Sequence, residues 1–569
     1  MSTLSARRLL TLLFTLLFAL LGIVVRLGAL QVRGAEALAA RGLDQRLRTM
    51  ALAADRGRIL DRSGAPLAIS LESRDIYADP ALVEDPAAEA AALAHVLDVP
   101  RERLADALAS SGTFVYLARQ VDLETAASVS ALRLPGVGWL PSTRRSYPGG
   151  SLAAQVLGFV GTDGYGLEGL EAVLDEELSG TPGELTAEIS ASGQEIPGGV
   201  RTLRESRPGM DVLTTLDREI QYQAQAALRQ AVKDNHAKGG TIVVMDPSTG
   251  DIYAMASHPW FDPNRFTEFE ADRRRNRAVT DTWEPGSVNK VITAAAAIET
   301  DAVQLDERFT VPATRQVGGF TIHDSHPHAV IRMTVGDIIA QSSNIGSSLV
   351  ADRVGSARLV RFFSRFGYGR PTGVGLPGEA GGVLPAPEEW TDVTRTTVSF
   401  GQGVSVTPLQ MASVYATVAN DGIWVRPRVV RATKDPSGRL IRLPASPTRR
   451  VLSPGTADLL TRMLAFVVQD GTGASAQIPG YQVAGKTGTT KKLDHHGRYT
   501  NRYVASFIGF LPAAQPRVVV AAIIDEPRTI YGGIAAAPLF QDVARFAIQR
   551  LGIEAAPPVS LPPHVRRVT

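Results

Sequence analysis

The stretch Glu284-Pro285-Gly286-Ser287-Val288-Asn289-Lys290-Val291-Ile292-Thr293-Ala294-Ala295-Ala296-Ala297 decides how this chain is read. Pro-Gly followed by an Ala-rich apolar run predicts the start of a buried helix. A serine in its first turn shares a face with Lys290, three residues on, so the amine reaches the Ser287 hydroxyl. Backbone N–H groups at that helix end favour an oxyanion forming beside them. A serine hydroxyl is a poor nucleophile until a base takes its proton, and a poorly solvated lysine is such a base. The residue type is informative, because only seven of the 59 Lys and Arg side chains are lysine: Lys233, Lys238, Lys290, Lys434, Lys486, Lys491 and Lys492. Desolvated lysine loses its proton and arginine does not, so lysines in an arginine-rich chain mark places where arginine would fail.

Two later stretches complement the first. In Ser342-Ser343-Asn344, Ser342 is suited to relay a proton between Lys290 and a leaving nitrogen, and the Asn344 amide to hydrogen-bond a peptide. Lys486-Thr487-Gly488-Thr489 enters what reads as an edge strand: Lys486 supplies positive charge, the Thr487 and Thr489 hydroxyls suit a carboxylate, and Gly488 admits a close backbone. At this composition S-x-x-K and S-x-N each arise about 0.4 times by chance and K-T-G about 0.04 times, so all three in this order come to about one in a thousand.

Around these motifs, Thr241–Asp246 and Ile252–Ala256 read as strands joined by the turn Asp246-Pro247-Ser248-Thr249-Gly250, and Tyr503–Leu511 and Val518–Ile524 pair across Pro512–Pro516. A helical pattern runs from Asp217 to about Asn235, and the middle from about 290 to 420 is mainly helical. Strands from both ends of one domain, with helices between, imply an α+β fold in which a single sheet is covered by helices. That domain is placed at 206–556, opening at Arg207-Pro208-Gly209. Residues 31–205 form a separate module, in which helical stretches (Pro86–Leu97, Leu104–Ala109, Leu123–Ala131) alternate with extended segments; no catalytic cluster stands out, and it reads as a spacer or interaction module. The tail 557–569, with Pro557, Pro558, Pro562 and Pro563, is expected to be unstructured, and no internal repeat is found.

At the N-terminus, Arg7 and Arg8 precede an apolar run from Leu9 to Val25 that Arg26 closes. Seventeen residues span about 25 Å, and a snorkelling Arg26 extends the usable stretch to Leu30. Residues 1–30 are therefore read as a cytoplasmic tip and single transmembrane anchor, with the N-terminus inside and the rest of the chain outside the cytoplasm. A cleaved signal peptide and a buried core helix are the alternatives. The remainder of the 569 residues sets limits: net charge +2 gives no basic field for nucleic acid, 44% hydrophobic residues exclude a disordered chain, and zero cysteines exclude disulfides, thiolate nucleophiles and Cys-ligated metals.

S-x-x-K, S-x-N and K-T-G in this order resemble the signature of penicillin-binding proteins and serine β-lactamases. Arg56-Gly57-Arg58-Ile59-Leu60-Asp61-Arg62-Ser63-Gly64 resembles the juxtamembrane motif of class B penicillin-binding proteins, and Tyr147-Pro148-Gly149-Gly150 and Gly166-Leu167-Glu168-Gly169-Leu170-Glu171 resemble motifs of their non-catalytic module. Gly401-Gln402-Gly403 with Thr407-Pro408-Leu409-Gln410 resembles a segment near their active site. Gly166–Glu171 and Glu284–Lys290 are more similar to the septal, FtsI-type branch than to the elongation branch; Gln155 departs from the histidine often found there. The resemblance implies a single-span protein with an elongated, dimerisation-type pedestal and a penicillin-binding transpeptidase domain built on an antiparallel sheet. It implies a D,D-transpeptidase that crosslinks peptidoglycan stem peptides during septal wall synthesis and is inhibited by β-lactams. In it Ser287 is the nucleophile, Lys290 the general base and Ser342 the relay, with Asn344 and Lys486 in the catalytic set. Thr487, Gly488 and Thr489 bind substrate, the N–H groups of Ser287 and Thr489 form the oxyanion hole, and no cofactor or metal is needed. Class B enzymes lack a glycan polymerase domain, so a SEDS-type glycosyltransferase and other divisome proteins are implied partners at the membrane.

Competing readings are an elongation-type transpeptidase, a D-Ala carboxypeptidase or β-lactamase, and a non-catalytic β-lactam sensor or divisome scaffold. His323, His326 and His328, and His495-His496, raise metal binding, but no His-Glu-x-x-His spacing occurs and surface or loop roles fit better. Glu168 and Glu171 read as caps or solvated faces, and Lys491-Lys492 as a solvated loop.

Overall fold

The computed structural model describes residues 3–33, 35–52, 54–188, 196–494 and 496–560, so His495, Pro562 and Pro563 lie outside the described residues. The chain forms two compact units, one of Met1–Asp55 with Gly180–Pro208 and one of Arg56–Ser179 with Gly209–Thr569.

In the first unit the N-terminal apolar run lies inside the helix Thr3–Arg33. Its stretch from Arg7 to Gln31 has 25 residues, none of them buried. At 1.5 Å per residue that is about 37 Å, more than a bilayer core requires. A core helix would bury one face, so that alternative is set aside. The helix Ala35–Arg46 follows, and then Leu47–Leu52 pairs antiparallel with Gly183–Glu188, which pairs with Arg201–Arg204. Thr49 and Thr186 sit opposite each other in register, with their hydroxyls 3.0 Å apart.

The second unit is built on a five-stranded antiparallel sheet in the order Ile252–His258, Gly239–Met245, Val518–Asp525, Tyr499–Leu511, Ala484–Leu493. Its inner strands are apolar on both faces, as strands covered on both sides must be. Ile242 and Val244 pack against the helices Arg218–Asp234 and Ala537–Leu551, through Ile220, Leu228, Phe540 and Val543. Val243 and Met245 face the helical layer that holds Lys290–Glu299 and Pro408–Ala419. Every residue of Pro408–Ala419 is buried, and Thr407 with Gln410 closes its N-terminus in a capping box. The strand Ala484–Leu493 is the edge, so one side of its backbone is left for a ligand.

The strands from both ends of the domain meet as the sequence implies. Four short strands, Phe309–Val311, Arg315–Val317, Phe320–Ile322 and Ile331–Met333, interrupt the helical middle. Lys492 is not in a solvated loop: it lies on the edge strand, with Nζ 2.6 Å from Asp525 and 2.8 Å from Glu526. The first tail residues are held as well, since the Val559 N–H donates to Gln482 Oε1 at 2.7 Å and Arg462 donates to the Ser560 carbonyl at 3.1 Å.

A second sheet runs Leu440–Arg442, Val430–Lys434, Asp211–Thr214, Ile59–Leu60, Pro66–Ala78, Val115–Val121, with Val137–Ser146 also on Pro66–Ala78. It joins strands of 56–146 to strands that leave the catalytic layers. Beside it Glu171, fully buried, accepts from Arg56 Nε and from Arg145 Nε, each at 2.7 Å, while Arg56 Nη1 lies 2.6 Å from Asp175. Glu171 is therefore neither cap nor solvated face; the two guanidinium groups compensate its burial. Gln155 is buried too and donates to the carbonyls of Pro259 and Arg273, both at 3.1 Å.

Candidate active site

Pro285-Gly286 sets up the nucleophile. Gly286 has φ 58°, and a Cβ there would fall 2.1 Å from Thr490 Oγ1, so only glycine fits between the serine turn and the edge strand. Ser287 lies in the short 3-10 turn Gly286–Asn289 that leads into the helix Lys290–Glu299. The turn is anchored from behind: Tyr415 OH donates to the Val288 carbonyl at 3.0 Å, Asn289 Nδ2 donates to Val398 O at 2.9 Å, and Tyr368 OH donates to Asn289 Oδ1 at 2.5 Å. Val288, Asn289 and Lys290 are buried, whereas Ser287 keeps partial access to solvent.

Lys290 Nζ is 3.1 Å from Ser287 Oγ, 3.2 Å from Ser342 Oγ, 2.8 Å from Asn344 Oδ1 and 2.5 Å from the Ser342 carbonyl. The side chain is fully buried. That burial, reinforced by the charge of Lys486 and only partly opposed by Asp324, pushes its pKa well below the ordinary lysine value. An amine so placed is neutral more readily and faces the hydroxyl it would deprotonate.

Ser342 ends the helix Val335–Gln341 in the left-handed region, φ 60°, and Ser343 caps the helix Asn344–Val354 through Gly346 N–H at 2.8 Å. This tight junction aims Ser342 and Asn344 at the same amine. Lys486 is 1% exposed, and burial lowers its pKa to about 7. Its Nζ is 3.4 Å from both Thr472 Oγ1 and Thr487 Oγ1, which are 2.8 Å from each other. Gly488 sits where a Cβ would approach Ser506 Oγ to 2.4 Å and the Pro285 carbonyl to 3.2 Å, which lets the edge strand lie against the serine turn. Thr489 Oγ1 accepts from the Gly532 N–H at 3.1 Å and keeps its own proton free to donate.

Ser287, Ser342, Asn344, Thr487, Gly488 and Thr489 line one cleft of about 500 Å³, with Gln402, Thr472, His326 and Tyr531 on its walls. Lys486 lies beneath, within the strand. Sequence reasoning missed Thr472, which shares the Lys486 site without any motif of its own, and Asp324, which lies among the histidines weighed as metal ligands. It also missed the function of Glu284, which accepts from the Gly403 N–H at 2.7 Å and from Tyr499 OH at 2.9 Å, tying together the serine approach, the Gly-Gln-Gly loop and the strand hairpin. Among the described residues no group of three or more His, Asp or Glu side chains converges as metal ligands would.

A pocket that sets a buried amine against a serine hydroxyl beside an edge strand is the architecture of serine acyl-transferring enzymes. Residues 240–545 match the family model of the penicillin-binding protein transpeptidase domain, and residues 51–214 that of the penicillin-binding protein dimerisation domain. The chain belongs to the penicillin-binding proteins, in their class B, FtsI-type branch. It is 38% identical over 574 residues to penicillin-binding protein PbpB of Mycolicibacterium smegmatis (94% of this chain, 88% of the relative). To the peptidoglycan D,D-transpeptidase FtsI of Escherichia coli it is 34% identical over 550 residues (95% and 91%). The crystal structure of penicillin-binding protein 3 of Mycobacterium tuberculosis with ampicillin superposes with TM-score 0.72 at 33% identity, covering 91% of this chain and 100% of that one.

Proposed function

We propose that this protein is a serine-type peptidoglycan D,D-transpeptidase of septal wall synthesis, inhibited by β-lactams. The observation that carries the reading is the fully buried Lys290 amine 3.1 Å from Ser287 Oγ, in a cleft shared with Asn344 and the Thr487–Thr489 edge. Ser287 Oγ attacks the carbonyl of the D-Ala–D-Ala bond as its proton passes to Lys290. Ser342, hydrogen-bonded to the same amine, hands a proton to the departing D-Ala nitrogen. The N–H groups of Ser287 and Thr489 hold the tetrahedral oxyanion. The donor's terminal carboxylate is bound by the Thr487 and Thr489 hydroxyls with Lys486 charge beneath, and Asn344 supports the peptide amide. An amino group from a neighbouring stem peptide then attacks the acyl-enzyme and forms the crosslink.

The positive charges Arg7 and Arg8 ahead of the apolar helix support an N-terminus in the cytoplasm and a catalytic domain on the outer side of the cytoplasmic membrane. The 31–205 module and the helix are read as the surfaces for a SEDS-type glycosyltransferase and other divisome proteins, because residues 51–214 match the dimerisation domain rather than the transpeptidase domain and the class B resemblance implies a separate glycan polymerase.

The test is mass spectrometry of the detergent-solubilised chain after treatment with penicillin. A long-lived adduct of intact penicillin mass on Ser287, absent in Ser287→Ala, is the expected result. Rapid turnover to penicilloic acid would make the protein a hydrolase, and no adduct at all would leave a sensor or scaffold without catalytic chemistry.

A further inference from the structure

The loop that carries the three histidines holds a pair of contacts that only one protonation state of the ring completes. His328 Nδ1 lies 2.6 Å from the Ala329 carbonyl, and its Nε2 lies 3.0 Å from Asp324 Oδ2. A backbone carbonyl and a carboxylate can only accept, so both ring nitrogens must carry hydrogen for both bonds to exist, and that species is the imidazolium. A neutral ring, in either tautomer, turns a lone pair on one of the two oxygens. The His328 and Asp324 side chains are 17% and 8% exposed, so the bond between them is partly shielded from water, while the Ala329 contact lies at the surface.

Asp324 in turn holds the Ser342-Ser343-Asn344 junction. Its carboxylate accepts from Ser343 Oγ at 2.6 Å and from the N–H groups of Asn344 and Ile345 at 2.6 and 2.9 Å, at the start of the helix Asn344–Val354. The same loop takes Asn344 from the other side, since Asn344 Nδ2 donates to the His323 carbonyl at 3.0 Å. Both contacts fix the amide whose Oδ1 faces Lys290 Nζ at 2.8 Å. A chain of direct contacts therefore runs from the His328 ring through Asp324 to Asn344 and the catalytic amine.

We propose that Asp324 and His328 are positioning residues for acylation, forming a clamp that is closed when His328 is protonated and that sets Asn344 and Lys290 for attack by Ser287. The inference rests on the transpeptidase reading and adds residues to that site. The groups facing the clamp agree with it. The Lys290 amine faces Asp324 and, when protonated, presents a cation to it, with Lys486 acting on Lys290 rather than on the clamp, while the first turn of Asn344–Val354 offers N–H groups and no acidic side chain; His323 and His326 flank the pair in its own loop. Burial works to raise the Asp324 pKa, but the bonds from Ser343, Ile345 and His328 and the charge of Lys290 hold it below the ordinary value. The Ala329 carbonyl and Asp324 together raise His328 above its ordinary pKa. The sign follows: the clamp is complete below that raised value and opens as pH rises through it, while the neutral Lys290 amine accumulates as pH rises through its own lowered value.

The experiment measures acylation of the solubilised full chain by a fluorescently labelled penicillin across pH, for wild type and His328→Gln. Glutamine donates to Asp324 at every pH and carries no charge, and His328 is near enough to the surface for the variant to fold. Lys290 and Lys486 titrate in both proteins, so their effects cancel in the ratio of the two rates. The ratio of wild type to variant is expected to be about threefold below the His328 titration and to fall to about one above it. Its midpoint is expected to match the His328 pKa read by NMR from ¹⁵N-labelled histidine, assigned by loss of the signal in the variant. Asp324→Asn is expected to lower acylation at least about tenfold at all pH values, with Ser287 still the labelled residue. A ratio that stays constant with pH, or a His328 that titrates at or below an ordinary histidine, overturns the clamp. If wild type itself forms no adduct on Ser287, the transpeptidase reading falls instead, so the two failures are distinct.

Discussion

Lys290 and Lys486 are both buried in one pocket, and the geometry asks different things of them. Lys290 faces a hydroxyl, which suits a base, and in Lys290→Arg the site would hold a permanent charge that cannot accept the Ser287 proton. The variant's acylation rate by penicillin is expected to fall about 10²–10⁴-fold, the usual worth of a general base. A loss of less than tenfold, in a rapid-mixing assay, would mean that another group takes the Ser287 proton. Lys486 faces the Thr472 and Thr487 oxygens at 3.4 Å and no carboxylate among the described residues, and burial lowers its pKa to about 7 because the fold tolerates the charge poorly. With the folded pKa below the unfolded one, the unfolded chain binds more protons between about pH 7 and 10, so the destabilisation is full below pH 7 and fades as pH rises. Lys486→Met is therefore expected to raise the melting temperature at pH 6 and to raise it less at pH 9, while weakening penicillin binding at both. Calorimetry at the two pH values checks the sign; an equal change at both would show that the amine is not what the fold resists. The scarcity of lysine made these two positions legible from the sequence. Thr472 and Asp324 were not, because a lone threonine after a helix and an aspartate in a loop carry no spacing that distinguishes them.

The elements that build the cleft meet through glycines, and here the sequence offered partial information. Strands fed from both ends of the domain were readable from runs such as Val518–Ile524, which are apolar on both faces. The segment Phe309–Met333 was not, since strands of three residues are too short to show a period of two; it nevertheless carries the loop that holds Asn344. The Gly-Gln-Gly loop lay between these cases, recognisable as a motif but without a visible role. The structure supplies one: Gly401 has φ 86°, and a Cβ there would lie 2.2 Å from the Gly286 carbonyl, while Gly286 N–H donates to Gly401 O at 3.0 Å. Gly401→Ala must push the loop off the serine turn. It is expected to cost about 1–3 kcal/mol of stability by thermal unfolding and to slow Ser287 acylation at least about tenfold in the folded fraction. Unchanged acylation would show that the turn keeps its shape without this contact.

Across the whole unit, the sheet from Leu440–Arg442 to Val115–Val121 joins strands of 56–146 and strands from the catalytic layers into a single hydrogen-bonded body. Beside that sheet the sequence misled most clearly at Glu171: Glu168 and Glu171 share a helix-like spacing that reads as caps or solvated faces, and Glu168 does stand at the N-cap of Gly169–Val173, but Glu171 is buried. Burial cannot be seen from spacing alone; what revealed it was Arg56 and Arg145, about 115 and 26 positions away, arriving on either side of one carboxylate. Arg56 and Arg145 are 6% and 4% exposed and Glu171 is fully buried, so removing the carboxylate charge leaves Arg145 out of water without its ion-pair partner and Arg56 with Asp175 alone. Glu171→Gln is expected to cost about 3–5 kcal/mol. None of these groups lines the catalytic cleft, so the folded fraction of the variant should acylate Ser287 at the wild-type rate well below its melting temperature. Thermal unfolding followed by penicillin labelling of the same samples separates the two effects. Lost stability with retained acylation makes Glu171 a structural centre of the non-catalytic module. Acylation lost in step with the carboxylate, in protein that is still folded, would instead show that the shared sheet carries strain from this cluster to the serine.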